Sequence, residues 1–409
     1  MGAKTSADST RESLGRREKQ IWAPDPGVAG GRKRRRGGAY ETFIPAEIAD
    51  RGFALDNDAV TAVMWATKAV AGLNMSEPRL ASLNALASNL LRSESAASSR
   101  IEGVAISHKR LARAAYAEAS KRGRDSKATE VLGNVEAMKG AIELGAGGDT
   151  ISVGDIQEIH RTLLRFTADR QIAGVIREQQ SWIGGNDYSL IGAVYVPPPP
   201  GHVKPLLEDY SRFLAREDLA PIAQAAIAHA QFENIHPFAD GNGRVGRALI
   251  HTVLRRRGET AIYVPPISLA LAAEPKAYAD GFGAFSAGDV SRWCELFANA
   301  TERAALEAVH MSSEIEDRQE AWLELLDNPR RDAAVRQLVS DLPEQPVIDV
   351  AAGQRITGKS HVAVQNALRQ LEDVGILHQL NERKWGRVWE CDELLQLVED
   401  FEEMVSSPA

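Results

Sequence analysis

Apolar residues recur at three- and four-residue spacing along most of the chain, which predicts a mainly helical protein. From Asp56 to Leu144, Ala, Leu and Val keep this rhythm. Leu83, Leu86 and Leu90 mark one face of a helix that runs toward Ser98-Ser99-Arg100-Ile101-Glu102-Gly103. A Gly-Ala-Gly-Gly run at 145–148 interrupts the block. A further helix is expected over Gly154–Arg165, with Ser152 as its N-cap and Ile156, Ile159, Leu163 and Leu164 on one side. The texture then changes. Ser181–Asp187 and Ala193–Val196 predict two short strands around a turn, and Pro197–Pro200 favours an extended segment. Helices are expected again over Val203–Leu214, over Pro221–Ile235, and from Ala248 to about Asp327. The last block, from Arg331, alternates short helices and closes on a hairpin-like Lys384–Glu390. Residues 1–39 are polar and Gly-rich without periodicity and read as a disordered tail.

Composition narrows the class. The 409 residues allow two to four domains. With 48 Lys+Arg against 56 Asp+Glu the net charge is -8, which speaks against a protein that coats nucleic acid with its whole surface. The one dense basic run, Arg32–Arg36, reads as part of the solvated tail. Two cysteines, Cys294 and Cys391, are too few for a disulfide scaffold or a cysteine metal cluster and fit a reducing cytoplasm. No stretch reaches the apolar length of a membrane helix, and the N-terminus lacks the apolar core of a secretory signal. The expectation is a cytoplasmic protein with no membrane contact.

The chemistry concentrates in His236-Pro237-Phe238-Ala239-Asp240-Gly241-Asn242-Gly243-Arg244-Val245-Gly246-Arg247, which leads straight into an Ala/Leu/Ile helix. Asp-Gly-Asn-Gly is turn chemistry, because Gly and Asn tolerate positive φ. A tight turn at a helix start aims unpaired N–H groups outward and makes an anion cradle. Arg244 and Arg247, three apart, share one face of the first turn and suit phosphates. Asp240 is placed to hold Mg²⁺, and His236 is the proton acceptor near pH 7. Base, metal carboxylate, cradle and arginines together imply phosphoryl or nucleotidyl transfer to a hydroxyl.

This segment, with Ala230-Gln231-Phe232-Glu233-Asn234-Ile235 before it, resembles the signature of the Fic (filamentation) family. The resemblance implies a helical domain that transfers AMP from ATP to a Ser, Thr or Tyr hydroxyl of a target protein. His236 would deprotonate the hydroxyl and Asp240 would hold Mg²⁺. Gly241, Asn242, Gly243, Arg244 and Arg247 would bind the nucleotide phosphates. Glycines at 241 and 243 favour AMP transfer over the kinase-like branch of the superfamily, which carries Ala and Lys there. Ser98, Glu102 and Gly103 resemble the family's inhibitory motif, in which Glu102 would pair with Arg247. The same carboxylate could serve removal of AMP. Trp182, Ile183, Gly184, Gly185, Val194, Tyr195 and Val196 are similar to its β-hairpin flap, which would register the target segment. Tyr278 corresponds to part of the adenine pocket, where core packing is the other reading. One aromatic of the family's usual pair is missing there.

Residues 347–377 with the 384–389 segment resemble the winged helix-turn-helix often fused behind such domains. Its outward residues His361, Gln365, Asn366 and Arg369 leave two readings open. One is a DNA-binding regulator whose Fic domain is secondary or self-modifying; the other is a protein-interaction or homodimer module. The expected organisation is a disordered tail (1–39), an N-terminal helical regulatory domain (40–147), a Fic catalytic domain (148–310), and a linker helix with winged helix-turn-helix (311–409).

Overall fold

The structure is a computed structural model, and it describes residues 12–23, 37–75, 83–120, 125–148, 150–186, 189–380 and 386–407. It is mainly helical. Two strands, β1 (Gly15–Trp22) and β2 (Gly38–Pro45), open the fold. Four helices follow: α1 (Asn57–Asn74), α2 (Leu83–Ile101), α3 (His108–Ala119) and α4 (Ser126–Ala146). The central group is α5 (Val153–Leu164), α6 (Pro200–Leu214), α7 (Pro221–Ile235) and α8 (Asn242–Arg256). Next come α9 (Ile267–Ala273), α10 (Pro275–Ser286) and the 36-residue α11 (Val290–Leu325). The C-terminal part runs α12 (Ala334–Asp341), β3 (Val347–Asp349), α13 (Val350–Thr357), α14 (His361–Asp373), β4 (His378–Gln379), β5 (Val388–Glu390) and α15 (Asp392–Ser406).

Local signals explain several boundaries. Ser152 caps α5 through a capping box with Asp155, which satisfies two otherwise unpaired donors. Pro200 and Pro221 each sit in the first turn of their helices, where the missing N–H costs nothing. The four prolines therefore lead into α6 instead of remaining an extended segment to the end. α7 is apolar on nearly every side and buried accordingly, with α6, α8, α10 and α11 against it.

One hydrophobic cluster runs from Leu14 to Val405 and joins α1, α2, α4–α11 and α15. The expected cuts at 147/148 and 310/311 cross this core, and α11 passes through the second cut without a break. α1 lies along α11, and α2 packs on α4, α8 and α9. A second cluster surrounds Leu338, Leu368 and Trp389 in the C-terminal part, whose antiparallel sheet has the order β3-β5-β4. α15 ties the two together: Leu394 belongs to the second cluster, while Leu397, Val398, Phe401 and Val405 reach the first.

Two expectations are corrected. Part of the supposed disordered tail is a strand: β1 pairs antiparallel with β2 from Gly15↔Pro45 to Trp22↔Gly38. Leu14 anchors it, buried, with its N–H donated to Ser286 O at 3.1 Å. Cross-strand pairing is non-local and leaves no helical periodicity to read. Second, the flap segments make isolated bridges, Ile183↔Tyr195 and Asn186↔Ser189, in place of two strands. Gly184, Gly185 and Gly192 all take positive φ and break the ladder. The basic run Arg32–Arg36, and Lys384 and Trp385 of the expected wing, lie outside the described residues. Among the described residues no helix is long and apolar enough to cross a membrane.

Candidate active site

The 236–247 loop is held from several sides. His236 ends α7 in the left-handed region (φ 49°, ψ 61°) and donates its N–H to Phe232 O at 2.9 Å. A non-glycine residue there costs about 1–2 kcal/mol, so the neighbourhood must enforce it. Arg177 does so: Nε donates to His236 O at 2.7 Å, Nη2 to Pro198 O at 2.6 Å, and its backbone N–H to Pro237 O at 2.9 Å. Burial lowers the Arg177 pKa to about 10, still well above neutral. Phe238 stacks on His160 with centroids 3.8 Å apart.

His160 is a strut with one defined tautomer. Gly174 donates its N–H to His160 Nδ1 at 2.9 Å, so Nε2 carries the proton and donates to Asp240 O at 3.0 Å. Burial drops its pKa to about 4, so the ring is neutral near pH 7. Gly241 then takes φ 76°, where a Cβ would also approach Leu163 Cδ2 at 3.1 Å. α8 starts at the next residue.

Asn242 is bonded within the loop. Its Oδ1 accepts the Phe238 N–H at 2.8 Å and its Nδ2 donates to Phe238 O at 2.9 Å, and the residue is buried. The side chain clips the loop to itself, with both polar atoms bonded to the Phe238 backbone. The first-turn N–H groups of α8 have no carbonyl one turn back, as at any helix start.

A carboxylate of the protein already lies against that first turn. α2 ends at Ile101, Gly103 takes φ 83°, and the turn carries Glu102 onto the first turn of α8. A Cβ at Gly243 would lie 1.9 Å from Glu102 Oε1, so only glycine admits the carboxylate there. Arg247 Nη2 donates to Glu102 Oε1 at 2.8 Å and to Ser98 O at 2.7 Å, and Nε donates to Ser98 Oγ at 2.8 Å. The Arg247 side chain is 2% exposed and that of Glu102 35%. Arg244 is bound in parallel: Nη1 donates to Glu130 Oε1 of α4 at 2.7 Å, and Nη2 lies 3.4 Å from Asp240 Oδ2. Each arginine thus faces one carboxylate from the N-terminal helices. Asp240 itself is 54% exposed at the rim.

His236 is largely enclosed. Burial, reinforced by Arg177, lowers its pKa to about 4 against the opposing pull of Glu102, the Glu233 backbone and Asp240. A neutral imidazole at pH 7 is the form able to accept a proton.

The structure brings together His236, Asp240, Gly241, Gly243, Arg244 and Arg247 with Ser98, Glu102 and Gly103. The flap residues sit beside them. Tyr195 donates its hydroxyl to Asn234 O at 2.7 Å, anchoring the loop at the end of α7. Trp182 Nε1 donates to Asn186 O at 2.6 Å, and the ring lies 6.4 Å from that of Trp22 on β1. Ile183 and Val194 are exposed, while Val196 is buried and accepts the Phe43 N–H of β2 at 2.9 Å. Tyr278, expected at the adenine side, is 8% exposed among His229, Phe282 and Trp293, and its hydroxyl lies 2.6 Å from His229 Nε2. Its burial matches the core-packing alternative, while Arg247 of the site also bears on its hydroxyl.

Arg177, Glu130 and Glu233 were missed in the sequence. The first two act from far along the chain, with no local pattern to mark them. Glu233 lies in the segment that leads to His236, and its three-residue spacing from the histidine on one helix was the available signal.

Residues 150–254 match the Fic/DOC family, and residues 60–143 match the Fic/DOC family N-terminal region. Over 178 residues the chain is 33% identical to the protein adenylyltransferase Fic of Culex quinquefasciatus, covering 42% of this chain and 32% of that protein. The Drosophila melanogaster protein of the same name is 31% identical over 177 residues, covering 42% and 33%. The matched part therefore spans about a third of the length of these relatives. A crystal structure of a Fic family protein from Desulfovibrio desulfuricans G20 superposes with a TM-score of 0.52 at 21% identity, over 83% of this chain and 97% of that one, and shows the shared fold.

Proposed function

We propose that the Fic/DOC domain carried by this chain is a protein adenylyltransferase, moving AMP from ATP onto a hydroxyl side chain of a target protein, and that Glu102 restrains it. The observation that carries this reading is the anion cradle at the start of α8. Arg244 and Arg247 flank it, each paired with a carboxylate, and the Glu102 carboxylate lies against its Gly243. The target hydroxyl gives its proton to His236 as its oxygen attacks the α-phosphorus; the bond to the β-phosphate breaks and pyrophosphate leaves. Arg244 and Arg247 bind phosphate oxygens once their carboxylate partners yield.

Mg²⁺ fits this site. The described residues hold no cluster of three or more His, Cys, Asp or Glu that could bind a metal, yet Asp240 offers one exposed carboxylate at the rim. One carboxylate with phosphate oxygens and water is the usual Mg²⁺ arrangement, and the ion would neutralise phosphate charge. The flap, with exposed Ile183 and Val194, is proposed as the surface that receives the target segment. We read α12–α14 with β3–β5 as a winged helix. This unit docks on α3 of the same chain: Arg113 holds Glu390 at 2.7 Å through two bonds, and Tyr116 donates to Asp349 at 2.8 Å.

The test is mass spectrometry of a lysate supplied with ATP and the Glu102→Gly protein, with Glu102→Gly/His236→Ala as control. Adenylyl adducts that require His236 are expected. Adducts that persist without it, or none with either protein, refute the reading.

A further inference from the structure

Glu233 precedes His236 by one helical turn, and the left-handed turn at His236 brings the imidazole back over that last turn. Its Oε2 lies 3.9 Å from His236 Nδ1. Neither Nδ1 nor Glu233 Oε1 has a hydrogen-bond partner, although both atoms are buried. Space for the carboxyl comes from α8: a Cβ at Gly246 would lie 3.0 Å from Glu233 Oε1 and 3.1 Å from His229 Nδ1. A buried carboxyl with an unmade hydrogen bond costs stability, whereas an apolar residue could fill the same position without that cost.

We infer that Glu233 is a positioning residue acting through His236. Its carboxylate keeps the proton of the resting imidazole on Nδ1, which leaves the Nε2 lone pair for the incoming hydroxyl, and it offsets the charge the ring gains on accepting that proton. The inference rests on the adenylyl-transfer reading. In the step itself the O–H bond breaks as the O–P bond forms. The proton goes to Nε2, and the resulting imidazolium faces Glu233.

The surroundings are consistent with this. Burial raises the Glu233 pKa to about 7; Arg247 opposes the rise and Glu102 adds to it. Arg177, Glu102, Asp240 and the backbone carbonyl of Glu233 itself bear on His236. His229, held neutral by burial, and the hydroxyls of Tyr195, Tyr210 and Tyr278 complete the set around the pair. Glu233 thus changes charge in the neutral range, while His236 is neutral well below it.

The experiment uses the full chain carrying Glu102→Gly as parent and follows auto-transfer from ATP radiolabelled at the α-phosphate, from pH about 5 to about 9. The parent should lose activity as the pH falls through about 7 or slightly below, since the Glu102 charge that lifts Glu233 is gone. Adding Glu233→Gln should lower the maximal rate about ten-fold or more at alkaline pH, leave KM for ATP unchanged, and erase that limb. Glu233→Asp should restore part of both. An unchanged rate and limb in folded Glu233→Gln overturns the inference. A second readout needs no turnover. Nitrogen shifts of isotope-labelled His236 should report the Nδ1-protonated tautomer in the parent and a mixture in Glu233→Met, and the same tautomer in both overturns the inference. A parent that makes no adduct, while the tautomer responds to Glu233, instead refutes the adenylyl reading.

Discussion

Replacing Glu102 by Gly removes one carboxylate from Arg247 and from the space beside Gly243. It deletes a charge-assisted hydrogen bond of 2.8 Å to a guanidinium that is itself 2% exposed. Such bonds contribute about 1.5–3 kcal/mol, and the 35% exposure of Glu102 favours the lower part, about 1.5–2 kcal/mol. Arg247 keeps its two bonds to Ser98, so the guanidinium stays in place. The position follows the end of α2, so glycine costs no helix propensity. If the carboxylate competes with a phosphate for Arg247, its removal favours productive ATP by about 10- to 30-fold. The assay is the initial rate of AMP transfer at an ATP concentration below KM, beside a thermal melt to confirm folding. Arg247→Ala in the same background should cancel the gain. A folded Glu102→Gly protein within about twofold of the wild type would show that the ion pair is not a brake.

Other expectations can be checked directly. His160, His229 and His236 are held below their ordinary pKa by burial, so the unfolded chain binds more protons than the folded one as acid is added. The stability tied to these neutral rings is intact above pH about 6.5 and is lost as pH falls toward about 4, by about 3 kcal/mol for His160 alone. Melts of wild type and His160→Asn across that range should differ in slope, and parallel slopes would contradict the burial argument. Asn242→Ala leaves both backbone groups of Phe238 unpaired and should cost about 1–3 kcal/mol in chemical denaturation, with loss of transfer. Arg113→Ala leaves Glu390, 2% exposed, with only Lys109 at 3.2 Å. Faster hydrogen exchange in α3 and at the end of α2 is expected, and unchanged protection would show that the C-terminal part does not brace the helix presenting Glu102.

The candidate site segment was legible because all of its parts lie within twelve residues, and each residue type has a narrow physical use there. The loop conformation follows from local chemistry: positive φ at Gly241, and a helix start at Asn242. Asn242 shows the limit of that reading. Its place in the motif was plain, but whether its amide faced a ligand or its own backbone depended on the path of Phe238. Tyr278 shows the same limit for packing. An aromatic residue on a helix suits either a stacking face or a core, and Phe282, Trp293 and His229 decide which.

By itself the sequence determined the helical class, the bounds of α5, α6 and α7 to within a few residues, and the candidate set of histidine, carboxylate and arginines, because periodicity, caps and turn residues act over a few neighbours. It also singled out Glu102 as a partner for Arg247. Tertiary structure alone decided the contacts that bridge long stretches of chain. Arg177 fastens the backbone of His236, Glu130 meets Arg244, β1 leaves the tail to pair with β2, and one core runs across the expected domain boundaries. The physical reason is that burial and ion pairing depend on which helices meet. No local pattern records that meeting, and it places Glu233 and Gly246 on facing helices beside His236.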